Sequence, residues 1–243
     1  MPGFRRGRVG LAAGLALLTT AASIAPVQAV PKRIILLRHG EKANAAELCS
    51  VGQERAIALR DTYLGRSASN DSLLEGQTPA AFLAITLHTQ ETTMPSATSW
   101  GRPVQSFGVL PTDAGKTQLM DALARATQKA AAAVLENPQW HDRTVVMTWE
   151  HKHIANKEIE RQNPGQEVTL RQLLNLEQIS GVPAQWPGTN YDYFWVIDFD
   201  PDRSAIPTRF AMVKQSYPAP FNNLPHNNWD TPLPGDFPSS CLH

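Results

Sequence analysis

The sequence predicts an α/β protein: a three-layer sandwich with a mostly parallel central sheet and helices on both faces. Three observations predict it. Short apolar runs of β-branched residues and leucine recur at 33–39, 80–87 and 143–150, the pattern of strands covered on both faces. A helical segment follows the first run and another precedes the third, giving the strand–helix alternation of a parallel sheet. Two late runs, 191–199 and 208–217, lie close enough to pair as a hairpin and add an antiparallel element.

The first 29 residues are set apart from this fold. A positive start (MPGFRRGR), an apolar stretch (VGLAAGLALLTTAASIA) and a small-residue cleavage site (VQA) ending at Ala29 have the layout of a secretory signal peptide. An N-terminal anchor is the competing reading, and the Thr and Ser content with the cleavage pattern favours removal. The chain is therefore expected to be secreted or periplasmic, with residues 30–243 as one domain and no stable membrane association after cleavage.

The elements then follow in order. RIILLRH (33–39) is the first strand. Residues 49–65 make a helix: Ser50 with Gln53 forms a capping box, Ala56, Leu59 and Tyr63 share a face, and Gly65 stops it. AAFLAITL (80–87) is the second strand, and 88–112 reads as a loop with no motif. From a Thr112 cap, an alanine-rich segment runs as one long helix to just before Pro138. RTVVMTWE (143–150) is the third strand, 169–179 a shorter helix, and the late hairpin turns across 200–207. The irregular tail from Phe221 wraps the surface. Cys49 and Cys241 are the chain's 2 cysteines; in an oxidising compartment they suffice for one disulfide, which would pin the tail near the first helix.

Charge excludes some partners. With 22 basic and 22 acidic residues the chain is balanced, which argues against nucleic acid or an acidic membrane surface as the main partner. Oligomeric state is not legible.

In open α/β sheets, ligands sit beyond the carboxyl ends of the strands. Arg38-His39-Gly40 stands at one such end and Glu150-His151-Lys152-His153 at another, and the topology brings both to one edge of the sheet. Arginine is the planar donor suited to a phosphoryl group, and histidine is a donor, base or nucleophile near neutral pH. Glycine after the histidine permits a sharp turn and close backbone approach. Alone, the tripeptide reads more readily as a surface arginine beside a structural histidine.

Three segments carry more: LRHGE (37–41), the helix GQERAIAL (52–59) after it, and TVVMTWEHKHI (144–154). In these the chain resembles the histidine phosphatase superfamily, the branch that includes the cofactor-dependent phosphoglycerate mutases. The resemblance spans roughly the whole chain after the signal segment. It implies a phosphatase acting on a small-molecule phosphate ester, without metal or organic cofactor. His39 would attack phosphorus through one ring nitrogen while the other is held by a hydrogen bond, and Arg38 and His151 would bind the phosphoryl oxygens. Water would then release phosphate.

The sequence departs from the family pattern at several points. His88 stands where a second arginine is expected; a protonated His88 would supply part of that cation and favour activity at acidic pH, Arg102 would supply it instead, or activity would be lost. Lys152 follows His151 where the family has glycine or aspartate. Glu91 is taken as the proton donor, with Glu150 as its rival; alternation sets Glu150 on the face opposite His151 if the strand continues. Glu41 is expected to hold a neighbouring cation, and Glu41, His88, Arg102, Glu150 and His153 complete the set expected around substrate. Two alternatives stay open. One is a non-catalytic anion-binding module on the same fold. The other is a metal-dependent hydrolase with His151, His153 and His39 or His88 on zinc, which leaves Arg38 without a role.

Overall fold

The computed structural model describes residues 1, 3, 29–69, 71–74, 76–110, 115–235 and 237–242. The signal-peptide reading falls almost wholly outside the described residues, as does the Thr112 cap. Among the described residues no helix is long and apolar enough to cross a membrane.

Strands β1 (Arg33–Arg38), β2 (Ala81–Ala84), β3 (Val104–Ser106), β4 (Thr144–Trp149), β5 (Tyr193–Asp198) and β6 (Arg209–Lys214) form a 6-stranded sheet in the order β3-β2-β4-β1-β5-β6. β3, β2, β4 and β1 pair in parallel, while β5 runs antiparallel to both β1 and β6. This is the mostly parallel sheet expected, with the late hairpin in place. The register sets Arg38 opposite Trp149, so β1 and β4 end level with each other. Whatever follows those two residues emerges side by side.

Alternation along the strands gives the sheet two apolar faces. Ile35, Leu37, Phe82, Val146, Phe194 and Val196 pack against Leu59 and Tyr63 and against Ala97. Those partners come from α1 (Ser50–Leu59), from the π-helical turn Arg60–Leu64 that extends it, and from α2 (Leu87–Ser99). On the opposite face Ile34, Leu36, Leu83, Met147 and Trp195 pack against Leu123, Ala126, Ala130 and Val134 of α3 (Lys116–Glu136). The short helices α4 (His151–Ile154), α5 (Lys157–Gln162) and α6 (Leu170–Leu173) follow β4. Three layers result.

The elements differ from expectation in four places. The stretch 88–112, read as a loop, holds the edge strand β3 and the helix α2. Its start is fixed by a reciprocal cap: Thr86 accepts from the Thr89 amide, and the Thr89 hydroxyl accepts from the Thr86 amide at 2.8 Å. The second strand is correspondingly shorter, ending at Ala84. At α1 the capping box is not formed, because Cys49 takes the cap position and the Gln53 side chain turns instead to the Leu48 carbonyl and Glu91. The segment 169–179 is broken into α6 and the 3-10 turn Leu176–Gln178 by Asn175, whose φ of 56° is left-handed.

The tail is anchored as expected. Cys49 and Cys241 are bonded, and the Leu242 amide donates to the Lys42 carbonyl at 2.6 Å. The last residues therefore lie against the loop that follows β1.

Candidate active site

The end of β1 is fixed by glycine contacts. A Cβ on Gly40 would stand 3.0 Å from the Gly52 Cα, and one on Gly52 would stand 2.2 Å from the Glu41 carbonyl oxygen. The first turn of α1 thus presses on the Arg38-His39-Gly40 turn at a distance no side chain permits. Two more bonds hold the turn: the His39 amide donates to the Trp149 carbonyl at 3.3 Å, and the Gly40 amide to Thr92 Oγ1 at 2.9 Å.

This backbone sets the tautomer of His39. The His39 Nδ1 lies 2.6 Å from the Gly40 carbonyl oxygen, which accepts only, so Nδ1 carries the proton and Nε2 the lone pair. Burial holds the imidazole below its ordinary range, against the pull of Glu150, so the lone pair is available at neutral pH. Nε2 faces Glu150 Oε2 at 3.3 Å.

Arg38 is buried beside it. Its Nη1 donates to the carbonyls of Gly188 (2.6 Å) and Asn190 (3.2 Å), and its Nη2 donates to the Tyr191 hydroxyl (3.1 Å). The guanidinium carbon stands 3.9 Å from the centre of the Tyr191 ring. Only Nε has no hydrogen-bond partner among the described residues.

β4 delivers the other half. It stops at Trp149, and the chain turns at once into α4 with Glu150 as its N-cap residue. Strand alternation therefore ends before Glu150, and Glu150 and His151 do not point apart as predicted. Ligand atoms of His39, Glu150 and His151 all lie within 4.8 Å of one another. Glu150 also accepts a hydrogen bond from Thr86 Oγ1 at 3.1 Å. Burial, reinforced by the Arg38 charge, holds His151 well below the usual histidine range, and its Nδ1 is buried without a partner.

The remaining expected residues divide. His88, at the start of α2, sits with its ring centre 5.7 Å from that of His39, and its Nε2 donates to the Asn44 carbonyl at 2.8 Å. Burial brings its pKa down to about 4, so His88 is neutral at neutral pH and does not replace an arginine charge. Arg102 is exposed in the turn after α2 and is not brought to the site. Glu91 is turned away: its carboxylate accepts from the Leu48 amide at 2.7 Å and from Gln53 at 3.2 Å, bracing α2 against α1. The carboxyl facing His39 is Glu150, and Glu91 holds the scaffold. Glu41 does hold a cation, Arg55, at 2.6 Å in a fully buried pair, but it does not face the cavity. His153 is buried on the cavity wall, with burial lowering its pKa to about 4.

That cavity has a volume of about 300 Å³ and is lined by Glu150, His151, His88, Lys42 and Thr86 at its inner end. Arg38 and His39 lie just behind this wall, and the His39 side chain has 0% of its surface exposed. Sequence reasoning passed over Lys42, Thr86 and Tyr191. Tyr191 could have been found, since an antiparallel strand begins on the edge where its parallel neighbours end, and Tyr191 lies two residues before β5. The trio His39, Glu150 and His151 also has the spacing of a cation site. His153 is not among its donors, and the adjacent Arg38 charge opposes a metal.

No protein-family model matches the chain, and no curated protein matches it. Similar solved structures include one described as mycobacterial hydrolase 2, at 19% identity over 76% of this chain and 90% of that one, with a TM-score of 0.43. Another is a mycobacterial glucosyl-3-phosphoglycerate phosphatase, at 18% identity over 76% of this chain and 98% of that one, TM-score 0.43. The same phosphatase with inorganic phosphate overlaps at 16% identity, 76% of this chain, 96% of that one and a TM-score of 0.42. These overlaps are loose, and the functional reading rests on this chain's own residues.

Proposed function

We propose that the protein is an exported phosphatase that hydrolyses a phosphomonoester through a phosphohistidine on His39. One observation carries the reading. Ligand atoms of His39, His151 and the Glu150 carboxylate lie within 4.8 Å of one another, and Arg38 Nε, His39 Nε2 and His151 Nδ1 are buried without a hydrogen-bond partner among the described residues. Arg38 Nε–H can donate to phosphoryl oxygens, and the His39 Nε2 lone pair can meet phosphorus. A phosphoryl group suits both, and the sequence resemblance points to the same chemistry.

The steps follow from the geometry. A phosphoryl dianion entering from the cavity displaces the Glu150 carboxylate from its contact with His39. Its oxygens take the Arg38 Nε–H and a His151 ring N–H. His39 Nε2 attacks phosphorus, forming an N–P bond as the ester P–O bond breaks. The Gly40 carbonyl, bonded to Nδ1–H, steadies the positive charge that grows on the ring. Burial raises the proton affinity of Glu150, but the charges around it hold its carboxyl well below the usual carboxylate range. A bound dianion beside it raises that affinity again, and the proton Glu150 then takes up from solvent is the one it gives to the leaving oxygen. Glu150 then takes a proton from water as that water attacks phosphorus. The N–P bond breaks, phosphate leaves, and His39 regains its lone pair.

The full burial of His39 and the neutral His88 favour a second reading, an anion-binding module with little or no turnover. One experiment separates them. The protein is incubated with 4-nitrophenyl phosphate from pH 5 to 7, with and without a chelator, beside His39→Ala. Chelator-resistant turnover that disappears in the variant, with phosphate trapped on protein after an alkaline quench, is the expected result. Phosphate binding without turnover would leave the module, and chelator-sensitive turnover would revive the metal reading. Export is checked by N-terminal sequencing of the protein recovered outside the cytoplasm, which should begin at Val30.

A further inference from the structure

We propose that the cavity selects phosphate esters of amphipathic alcohols, with an apolar body next to the phosphate and a second anionic group at the far end. The inference rests on the phosphatase reading for its chemistry, and on the cavity alone for its selectivity. At about 300 Å³ the cavity matches the lower range of small-molecule sites. Its inner end is the wall formed by Glu150 and His151, so an ester whose phosphoryl group reaches His39 leaves its alcohol part in this space.

The floor of that space is carbon. Leu119, Met120 and Leu123 of α3 line it together with Val109. A sugar or glycerol moiety would set hydroxyl groups against these side chains without partners, which costs the hydrogen bonds that water had supplied. An aryl or branched alkyl body instead removes apolar surface from water on both sides.

The mouth is positive. Lys42, Lys116 and Lys152 line the cavity, and none of the three makes an ion pair among the described residues. Lys42 acts on Glu150 and belongs to the phosphoryl end. Lys116 and Lys152 are exposed, one opening α3 and the other following His151. Arg38 and Lys42 already meet a phosphoryl dianion, so two further ammonium groups at the open end suit a second anion. Among the described residues, Glu150 is the one carboxylate lining this cavity.

Non-hydrolysable phosphonates test this without relying on turnover. Binding of methylphosphonate, benzylphosphonate and 4-carboxybenzylphosphonate to the intact protein is measured by calorimetry, beside hydrolysis of phenyl phosphate and glycerol phosphate. Benzylphosphonate should bind at least about tenfold more tightly than methylphosphonate. The added carboxylate should gain a further severalfold, lost in Lys116→Glu or Lys152→Glu while benzylphosphonate binding persists. Equal binding of benzyl and methyl phosphonates overturns the proposal, as does a carboxylate that weakens binding. Selective binding with no hydrolysis of either ester would defeat the phosphatase reading and support the ligand class. Hydrolysis that favours glycerol phosphate would support the phosphatase and overturn the ligand class.

Discussion

Glu150 is the residue on which the site turns. Its carboxylate stands 3.3 Å from His39 Nε2, and in the proposed reaction it must yield that place to the phosphoryl group and then serve as the acid. Replacing it should therefore expose the difference between leaving groups. In Glu150→Gln, kcat/KM for an alkyl phosphate should fall by about 10²-fold or more, since an alkoxide needs a proton to leave. Hydrolysis of 4-nitrophenyl phosphate, whose leaving group needs none, should fall much less. Equal losses on both substrates would remove Glu150 from the acid role. The pH dependence of His39 has a definite sign. Protonation destroys its lone pair, and burial holds its pKa below 6.5, so the acid limb of kcat/KM should lie below that pH. A limb at 6.5 or above would contradict the buried, neutral imidazole. Arg38, His39 and His151 were legible in the sequence because short strands carry them to one edge. Glu150 against Glu91 was not legible, because that choice depends on whether β4 continues past Trp149 by a single residue.

At the scale of elements, the contact between α1 and the turn after β1 decides how well His39 is aimed. Gly52 has no room for a methyl group, since the nearest atoms are backbone atoms of Glu41 and cannot swing aside. Gly52→Ala should cost about 1–3 kcal/mol of stability by urea unfolding, the usual range for overpacking. It should also reduce turnover in the protein that remains folded, because the shift falls on the backbone that fixes the His39 tautomer. An alanine variant with unchanged activity would show that the turn tolerates movement. α2 explains where reading the sequence failed. Its buried face is Thr89, Thr92, Thr93, Ser96 and Ala97, small and mostly polar, so it shows no apolar stripe at helical spacing. Those hydroxyls are used locally: Thr89 receives the Ile85 and Thr86 amides, and Thr92 receives the Gly40 amide. Pro95 inside the helix obscures it further. β1, β2, β4 and the late hairpin were legible because they are compact apolar runs, and α3 because its burial is periodic; β3, three residues long and mostly exposed, was not.

For the whole molecule, two features set stability. His88 and His153 are buried with pKa values near 4, against an ordinary 6.5 in the unfolded chain. Between those values the unfolded chain takes up protons that the fold refuses, so stability rises with pH across that window. It is fully present above 6.5 and is lost as pH falls toward 4. The urea midpoint should drop between pH 6.5 and 4, and His153→Gln should flatten the drop; a midpoint flat in the wild type would contradict it. The second feature is the bond between Cys49 and Cys241, which are 192 residues apart. A loop of that length places its removal at the upper end of disulfide effects, about 5 kcal/mol by chain entropy. Cys49→Ser with Cys241→Ser should lower the urea midpoint accordingly, and reductant should do the same to the wild type. The closure also has an order in time. During synthesis the His39 turn is made well before its covalent tether, because Cys241 follows Cys49 by 192 residues. A nascent polypeptide held short of Cys241 cannot close this bond, so the turn spends that interval without its tether.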